Sequence, residues 1–213
     1  MRRKERTIVV IGGGGHAKVL IGVLRKLPWD IAGYTDSRDV GVLLGAPWLG
    51  DDSVLPDVIA ANANCAAIIG LGKVDASSRR AALQGQIESL GYEFPVIVSP
   101  AAVVNVGVEL GPGTVVFDGA VVNPGATTGA ACIINTHATL EHDCRLGDNV
   151  HLAPGATVNG GVVIGSHSFV GAGAVVIQGV RIADGCLIGA GAVVTADIAV
   201  PGTYAGVPAR RIG

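Results

Sequence analysis

The feature that most constrains this chain is a spacing of six. Counting by sixes from Val98 gives Val104, Leu110, Val116 and onward to Ile188, Val194 and Val200. Seventeen of these eighteen positions are Val, Ile or Leu, Thr128 being the exception. The position two before each aliphatic is mostly small, as at Ala120, Ala126, Cys132, Ala138, Cys144 and Cys186. A period of six matches neither the 3.6 of a helix nor the 2 of a flat strand. It suits a triangular coil in which each side is a short strand with one aliphatic turned inward, followed by a tight corner that favours Gly or Asn. Three hexads make one coil, so residues 98–205 predict six coils. At roughly 4.8 Å between stacked strands the prism is about 29 Å tall.

A prism this narrow has little room for rings, which explains 33 Gly beside only 4% aromatic residues. The 49% hydrophobic content and a net charge of -2 exclude a disordered chain, and they offer no basic field to nucleic-acid phosphates. The high hydropathy does not imply a membrane span, because the longest uncharged stretch, residues 150–180, is broken every few residues by Gly, Asn, His, Ser or Gln. Met1 to Arg6 is basic, but Thr7 to Ile11 is too short for a signal-peptide apolar region, so a cytoplasmic protein is expected. The four cysteines, Cys65, Cys132, Cys144 and Cys186, form no C-x-x-C pair and predict neither a disulfide framework nor a metal site. The last three fall on small inward positions and read as packing residues.

Residues 1–97 follow another pattern. Thr7 to Ile11 reads as a strand and His16 to Leu27 as a helix, then Asp30 to Tyr34 as a strand. A helix is expected over Asp52 to Ala61, a strand over Cys65 to Gly70, a helix over Ala76 to Leu90 and a last strand over Phe94 to Val98. Alternating strands and helices mean βαβ units around a parallel sheet. The domains expected are therefore 1–97 and 98–213. Between the first strand and helix, Gly12 to Ala17 matches G-x-G-x-x-A, with Asp36 at the end of the second strand. Glycines there let backbone approach a pyrophosphate at a helix N-terminus, where free N–H groups favour anions. A dehydrogenase is disfavoured, since this domain holds only half a dinucleotide unit and a repeat prism follows it. A tight turn with no ligand is the plain alternative.

Three motifs together, G-G-G-H-A-K-V after the first strand, E-H-D-C in the coils and A-G-V-P-A-R at the end, resemble one family. It is the hexapeptide-repeat sugar O- and N-acetyltransferases, typified by sialic acid O-acetyltransferases and by the enzymes that acetylate nucleotide-linked 4-amino sugars. The resemblance covers nearly the whole chain. It implies an α/β half-Rossmann domain followed by an all-β left-handed parallel β-helix, and the handedness comes from the resemblance alone. It also implies that the N-terminal domain holds a nucleotide-linked amino sugar, through Gly13, Gly14, Gly15, His16, Asp36 and Gly70. The prism is expected to form a homotrimer, with acetyl-CoA in the groove between neighbouring copies.

Acyl transfer to an amine or alcohol needs a base, and imidazole, titrating near pH 6.5, suits that role. His142 lies between Glu141 and Asp143, two positions after Leu140 and so near a corner on the outer surface. The family's base maps to His142, with Asp143 as the carboxylate that orients it. His151, nine residues on, sits half a coil away, too far across one prism to meet His142, and this also suggests sites between copies. The resemblance gives His151 a contact to the cofactor or the acceptor amine. It gives the Gly160 N–H the role of oxyanion donor, and Asn135 a contact to the sugar. Gly171, Ala172, Gly173, Gly189, Ala190 and Gly191 form a ribbon of small residues against which an extended pantetheine could lie. Arg210 and Arg211 follow as candidate phosphate contacts. Arg79 and Arg80 could serve the nucleotide or simply face solvent, and His137 and His167 are read as surface residues. The leading function is acetyl-CoA-dependent N-acetylation of a nucleotide-linked amino-dideoxy sugar in surface-glycan biosynthesis. Sugar O-acetylation, and a catalytically silent nucleotide-sugar-binding scaffold, are the alternatives.

Overall fold

Strand β1 (Arg6–Ile11) leads through the glycine loop into helix α1 (Gly15–Leu24) in the computed structural model, which describes residues 6–212. The basic residues before Arg6 and the final Gly213 lie outside the described residues. There follow β2 (Trp29–Thr35), β3 (Trp48–Gly50), α2 (Leu55–Ala61), β4 (Ala66–Ile69) and α3 (Arg79–Glu88). The four strands are parallel in the order β3-β2-β1-β4, which is half of a doubly wound sheet. β1 and β4 are buried on both faces, so Ile8–Ile11 and Ala66–Ile69 read as unbroken apolar runs.

The structure moves several of the expected boundaries. β3 was not expected, being three residues long and without an alternating pattern. α1 stops at Leu24 instead of Leu27, because Pro28 disfavours a helical residue before it. Its last turn tightens, with the Lys26 and Leu27 N–H groups donating to Val23 O and Leu24 O. α3 starts three residues late, after a turn in which Asp75 accepts the Ser77 N–H (3.0 Å). The strand expected over Phe94–Val98 shrinks to Ile97–Val98, and it pairs with Val115–Val116 of the prism, not with the N-terminal sheet.

From Ile97 onward two-residue strands stack into three parallel sheets that form the sides of the prism. Side one runs from Ile97–Val98 to Gly202–Ala205, side two from Val103–Val104 to Val193–Val194, and side three from Glu109–Leu110 to Arg181–Ile182. Ile134 pairs with Leu152 and Leu152 with Val170, so one coil is eighteen residues, as the hexads require. The inward aliphatics and the small residues two before them make one continuous core. Cys132, Cys144 and Cys186 belong to it, unpaired, and burial pushes their thiols up, that of Cys132 to about 11. The register fails once. After Val194 the coil shortens by two, so that Ile182 bridges to Ile198 and Ile188 pairs with Tyr204. Ile198 therefore fills the core at 6% exposure, while Val200, expected to point inward, is 51% exposed. The shorter corner is closed by Asp197, which accepts the Arg181 N–H (2.8 Å). An antiparallel strand, Arg210–Ile212, ends side one.

The N-terminal domain lies on side one. Outward residues Ile97, Val115 and Ile133 join Ile8, Leu20 and Leu24 in one buried cluster, and Phe117 at the next corner joins them. Among the described residues no helix is long and apolar enough to cross a membrane.

Candidate active site

Leu140 anchors the end of a side-two strand in the core, and the chain then turns the corner through Glu141, His142 and Asp143. Asp143 takes φ +61°, a left-handed conformation that Asp tolerates better than most residues, and its N–H donates to Pro124 O of the coil below (3.1 Å). This backbone folds the carboxylate back onto its neighbour, with Asp143 Oδ2 2.8 Å from His142 Nδ1. The bond assigns the Nδ1 proton and leaves Nε2 with its lone pair free. That hydrogen bond, assisted by the charges of Asp143 and Glu141, holds His142 above its ordinary 6.5. Both side chains are open, at 63% and 75% exposure. One coil on, Gly160 occupies the next corner so closely that a Cβ there would lie 2.5 Å from His142 Nε2. Gly161 N–H donates to His142 O (2.9 Å) and locks the two corners together. The structure thus brings His142, Asp143 and Gly160 together at one corner of the prism.

His151 departs from expectation. Its ring does project outward from side one, but the segment after β4 covers it, leaving 6% exposed. His151 Nδ1 donates to Lys73 O (2.6 Å), and Nε2 then accepts from Asn135 Nδ2 (3.1 Å). The ring packs edge-on against Phe169. Burial, with the charges of Arg80 and Lys73 adding to it, lowers its pKa to about 4, so it is neutral. Both nitrogens are engaged within the chain, so the expected cofactor contact is replaced by a fixed tautomer that orients Asn135. His16 is drawn into the same junction, edge-on to Phe117, and burial lowers it to about 3. It lies against the prism. His167 is half-buried against the N-terminal domain, where its carbonyl accepts from Lys73 Nζ; His137 is exposed, as expected.

At the carboxyl ends of β1, β2 and β4 lies a cleft of about 600 Å³, walled by Gly12, Asp36, Asp52, Ser53, Leu71 and Arg79 among others. It opens beside the point where the strand order reverses between β1 and β4, which is where open parallel sheets bind ligands. Asp36 Oδ2 accepts the Gly13 N–H (2.7 Å), and this bond is the main reason its carboxyl is held low. The acid therefore shapes the loop. Gly14 caps α1 without a side chain, and a Cβ at Gly14 or Gly15 would meet nothing. The loop offers bare backbone N–H groups to an anion. Gly70, expected to touch substrate, is buried under the loop. A Cβ there would come within 2.7 Å of Val10 and 3.0 Å of Ala17, so its role is close packing.

Two family descriptions match the chain: the PglD N-terminal domain over residues 7–84, and the bacterial transferase hexapeptide (six repeats) over residues 125–160 and 161–196. A perosamine N-acetyltransferase from Caulobacter crescentus, solved as a histidine-to-asparagine mutant with CoA and GDP-perosamine, is 37% identical over 97% of both chains with a TM-score of 0.91. The chain belongs to the hexapeptide-repeat nucleotide amino-sugar acetyltransferases. The acetyltransferase domain of PglB from Neisseria gonorrhoeae FA1090 is 33% identical, covering 98% of this chain and all of that one, with a TM-score of 0.89. WeeI from Acinetobacter baumannii AYE is 27% identical over 97% of this chain and 99% of its own, with a TM-score of 0.79. No curated protein matches the sequence. The prism is accordingly a left-handed β-helix.

The remaining expected residues of the enzyme divide by burial. Ala172, Gly173, Ala190 and Gly191 are exposed and stacked, Gly191 N–H donating to Ala172 O (2.9 Å), so they form an open backbone ribbon. Gly171 and Gly189 do not belong to it. A Cβ on Gly171 would sit 2.5 Å from Ala190 N, and one on Gly189 3.2 Å from Ala205, so both are glycine to let coils stack. Arg210 is exposed on the final strand, its Nη1 donating to Ala209 O (2.9 Å). Arg79 lines the cleft, but Arg80 neither lines that cleft nor faces solvent: it is buried against the prism. The acids Asp51 and Asp52 and the buried Lys73 were not singled out from the sequence. The Asp51-Asp52-Ser53 run carries a cap signature that could have marked the first two, since Asp51 accepts the Ser53 N–H (3.0 Å).

Proposed function

We propose that the enzyme transfers an acetyl group from acetyl-CoA to the 4-amino group of a nucleotide-linked dideoxy amino sugar, as a cytoplasmic step in surface-glycan biosynthesis. The observation that carries this reading is the exposed His142–Asp143 pair with Nε2 turned onto the Gly160 backbone. His142 Nε2 takes the proton as the amine nitrogen bonds to the acetyl carbon; the carbon–sulfur bond breaks, and the proton passes to the departing thiolate. Asp143 holds the tautomer and stabilises the imidazolium. The Gly160 N–H supports the oxygen on which charge builds. Cys144, buried behind the corner, has no part in it. The glycine loop and the cleft seat the nucleotide. The ribbon of Ala172, Gly173, Ala190 and Gly191 would seat the pantetheine. Ribbon and His142 stand on opposite edges of side two, so a second copy is needed to bring one to the other, which supports a trimer with its sites between copies.

Release of free thiol from acetyl-CoA in the presence of UDP-, GDP- and dTDP-linked amino sugars tests the reading. Turnover with a hydroxyl acceptor and with no amino sugar overturns N-acetylation. Two variants refine it. With His142 acting as a base, kcat/KM rises with pH through a midpoint above 6.5, since Asp143 favours the protonated ring. In Asp143→Ala that midpoint moves down toward 6.5 and kcat falls by roughly tenfold or more. An unmoved acidic limb would assign it to another group. In Asp36→Ala the glycine loop loses the 2.7 Å anchor at Gly13. The dissociation constant for the nucleoside diphosphate, read by calorimetry, should then rise about tenfold, while that for CoA stays put.

A further inference from the structure

α3 and the segment before it run alongside the corners between sides three and one, tied to the prism once per coil. Gln84 Nε2 donates to Pro112 O (3.4 Å), Arg80 Nη1 to Ala131 O, Asn149 Nδ2 to Ser77 O (3.0 Å) and Lys73 Nζ to His167 O. Residues 84 and 80 are one helical turn apart, about 5.4 Å. That nearly equals the roughly 4.8 Å between coils, and the non-helical segment before α3 continues the match.

Within this ladder Arg80 stands apart. It is 4% exposed, and its guanidinium donates only to carbonyls: Nε to Leu71 O (3.0 Å), Nη2 to Ile69 O (3.5 Å) and Nη1 to Ala131 O. Among the described residues no carboxylate forms an ion pair with it, and burial depresses it to about 10. A buried cation without an acid is a poor way to stabilise a fold. A planar fork is a good way to fix several carbonyls at set angles. Two of its acceptors are Ile69, which ends β4, and Leu71, two residues beyond it, which walls the nucleotide cleft. Two residues on, Lys73 O receives the His151 Nδ1–H. The third acceptor, Ala131, leads into the Ile133–Ile134 strand and Asn135, whose Nδ2 meets His151 Nε2. One guanidinium therefore spans both ends of the Lys73–His151–Asn135 chain.

We propose that Arg80 is a positioning residue for acetyl transfer: it touches neither substrate but holds the cleft wall in register with the prism side carrying His151 and Asn135, so that a sugar anchored in the cleft meets the acetyl-transfer site. This rests on the function proposed above. The test is Arg80→Lys, which keeps the charge but replaces the fork by one ammonium that cannot serve carbonyls of both domains. Misplacement by about 1 Å can cost 10²-fold in rate. The expected result is a kcat lower by about tenfold or more, with Kd values for CoA and for the preferred nucleoside diphosphate within about twofold of wild type. Arg80→Gln should show the same split. Gln84→Ala, which cuts another rung of the ladder, should lower the melting temperature and leave kcat unchanged. Wild-type kcat in Arg80→Lys, or nucleotide affinity lost in step with kcat, overturns the proposal. So does failure of both Arg80 variants to fold where Gln84→Ala folds, because Arg80 is then a stability element. If wild type itself transfers to no amino sugar, the functional reading has failed, and that outcome is seen before any variant is made.

Discussion

Replacing His142 by alanine should lower kcat for acetyl transfer by roughly 10²–10⁴-fold, the usual contribution of a positioned general base. The dissociation constants for CoA and the nucleoside diphosphate should barely move, because the nucleotide cleft and the small-residue ribbon lie elsewhere on the chain. Stability should be nearly unchanged, as for most exposed positions. The ring is 63% exposed, and the corner is anchored by Leu140 and Cys144 in the core, which the substitution leaves alone. His142→Asn sharpens the result, since an amide can hydrogen-bond to Asp143 but cannot accept the proton. If Asn restores turnover, the side chain is needed to bind and not to act as a base. A fully active alanine variant would remove His142 from the chemistry altogether. Equal binding with lost turnover also excludes the silent-scaffold alternative, for which the residue should not matter.

The prism was legible because its constraint is local and repeated: every sixth position from Val98 to Val194 must fill a narrow core. Val200 failed because Asp197 closes a shorter corner, and a spacing rule cannot see a two-residue deletion. His142 and Asp143 were legible because adjacent residues at a corner are neighbours in any register. The fate of His151 was not. Its burial depends on Lys73, 78 residues earlier, and on how one domain docks against the other. A separation of 51 residues from Ala131 likewise hid Arg80, which in sequence is one of two adjacent arginines at the start of a helix. Gly70, Gly171 and Gly189 show the complementary limit. A glycine that admits a ligand and one that admits a neighbouring strand are spelled alike, and only the atoms a Cβ would strike tell them apart.

That distinction makes Gly160→Ala the second variant with a large expected effect. The left-handed residue of this corner is Gly161, at φ +69°, and Gly160 itself is outside that region, so its backbone accepts alanine. The collision is with the base: the new Cβ would lie 2.5 Å from His142 Nε2 and 2.7 Å from Cε1. The imidazole must swing away, because the alternative is to part the corners held by the Gly161 N–H bond to His142 O at 2.9 Å. A ring that swings out gives up its 2.8 Å bond to Asp143 and, with it, the main support of its raised pKa. Gly160→Ala should therefore lower kcat by about 10²-fold and move the acidic limb of the pH profile down, in the direction expected for Asp143→Ala. If the methyl acts only through His142, it should cost little further in a His142→Ala background, and the four kcat values of the cycle measure that coupling. Full activity with an unmoved limb would mean that the amine does not approach Nε2 past this corner. A loss that persists in the His142→Ala background would instead place the damage at the Gly160 N–H.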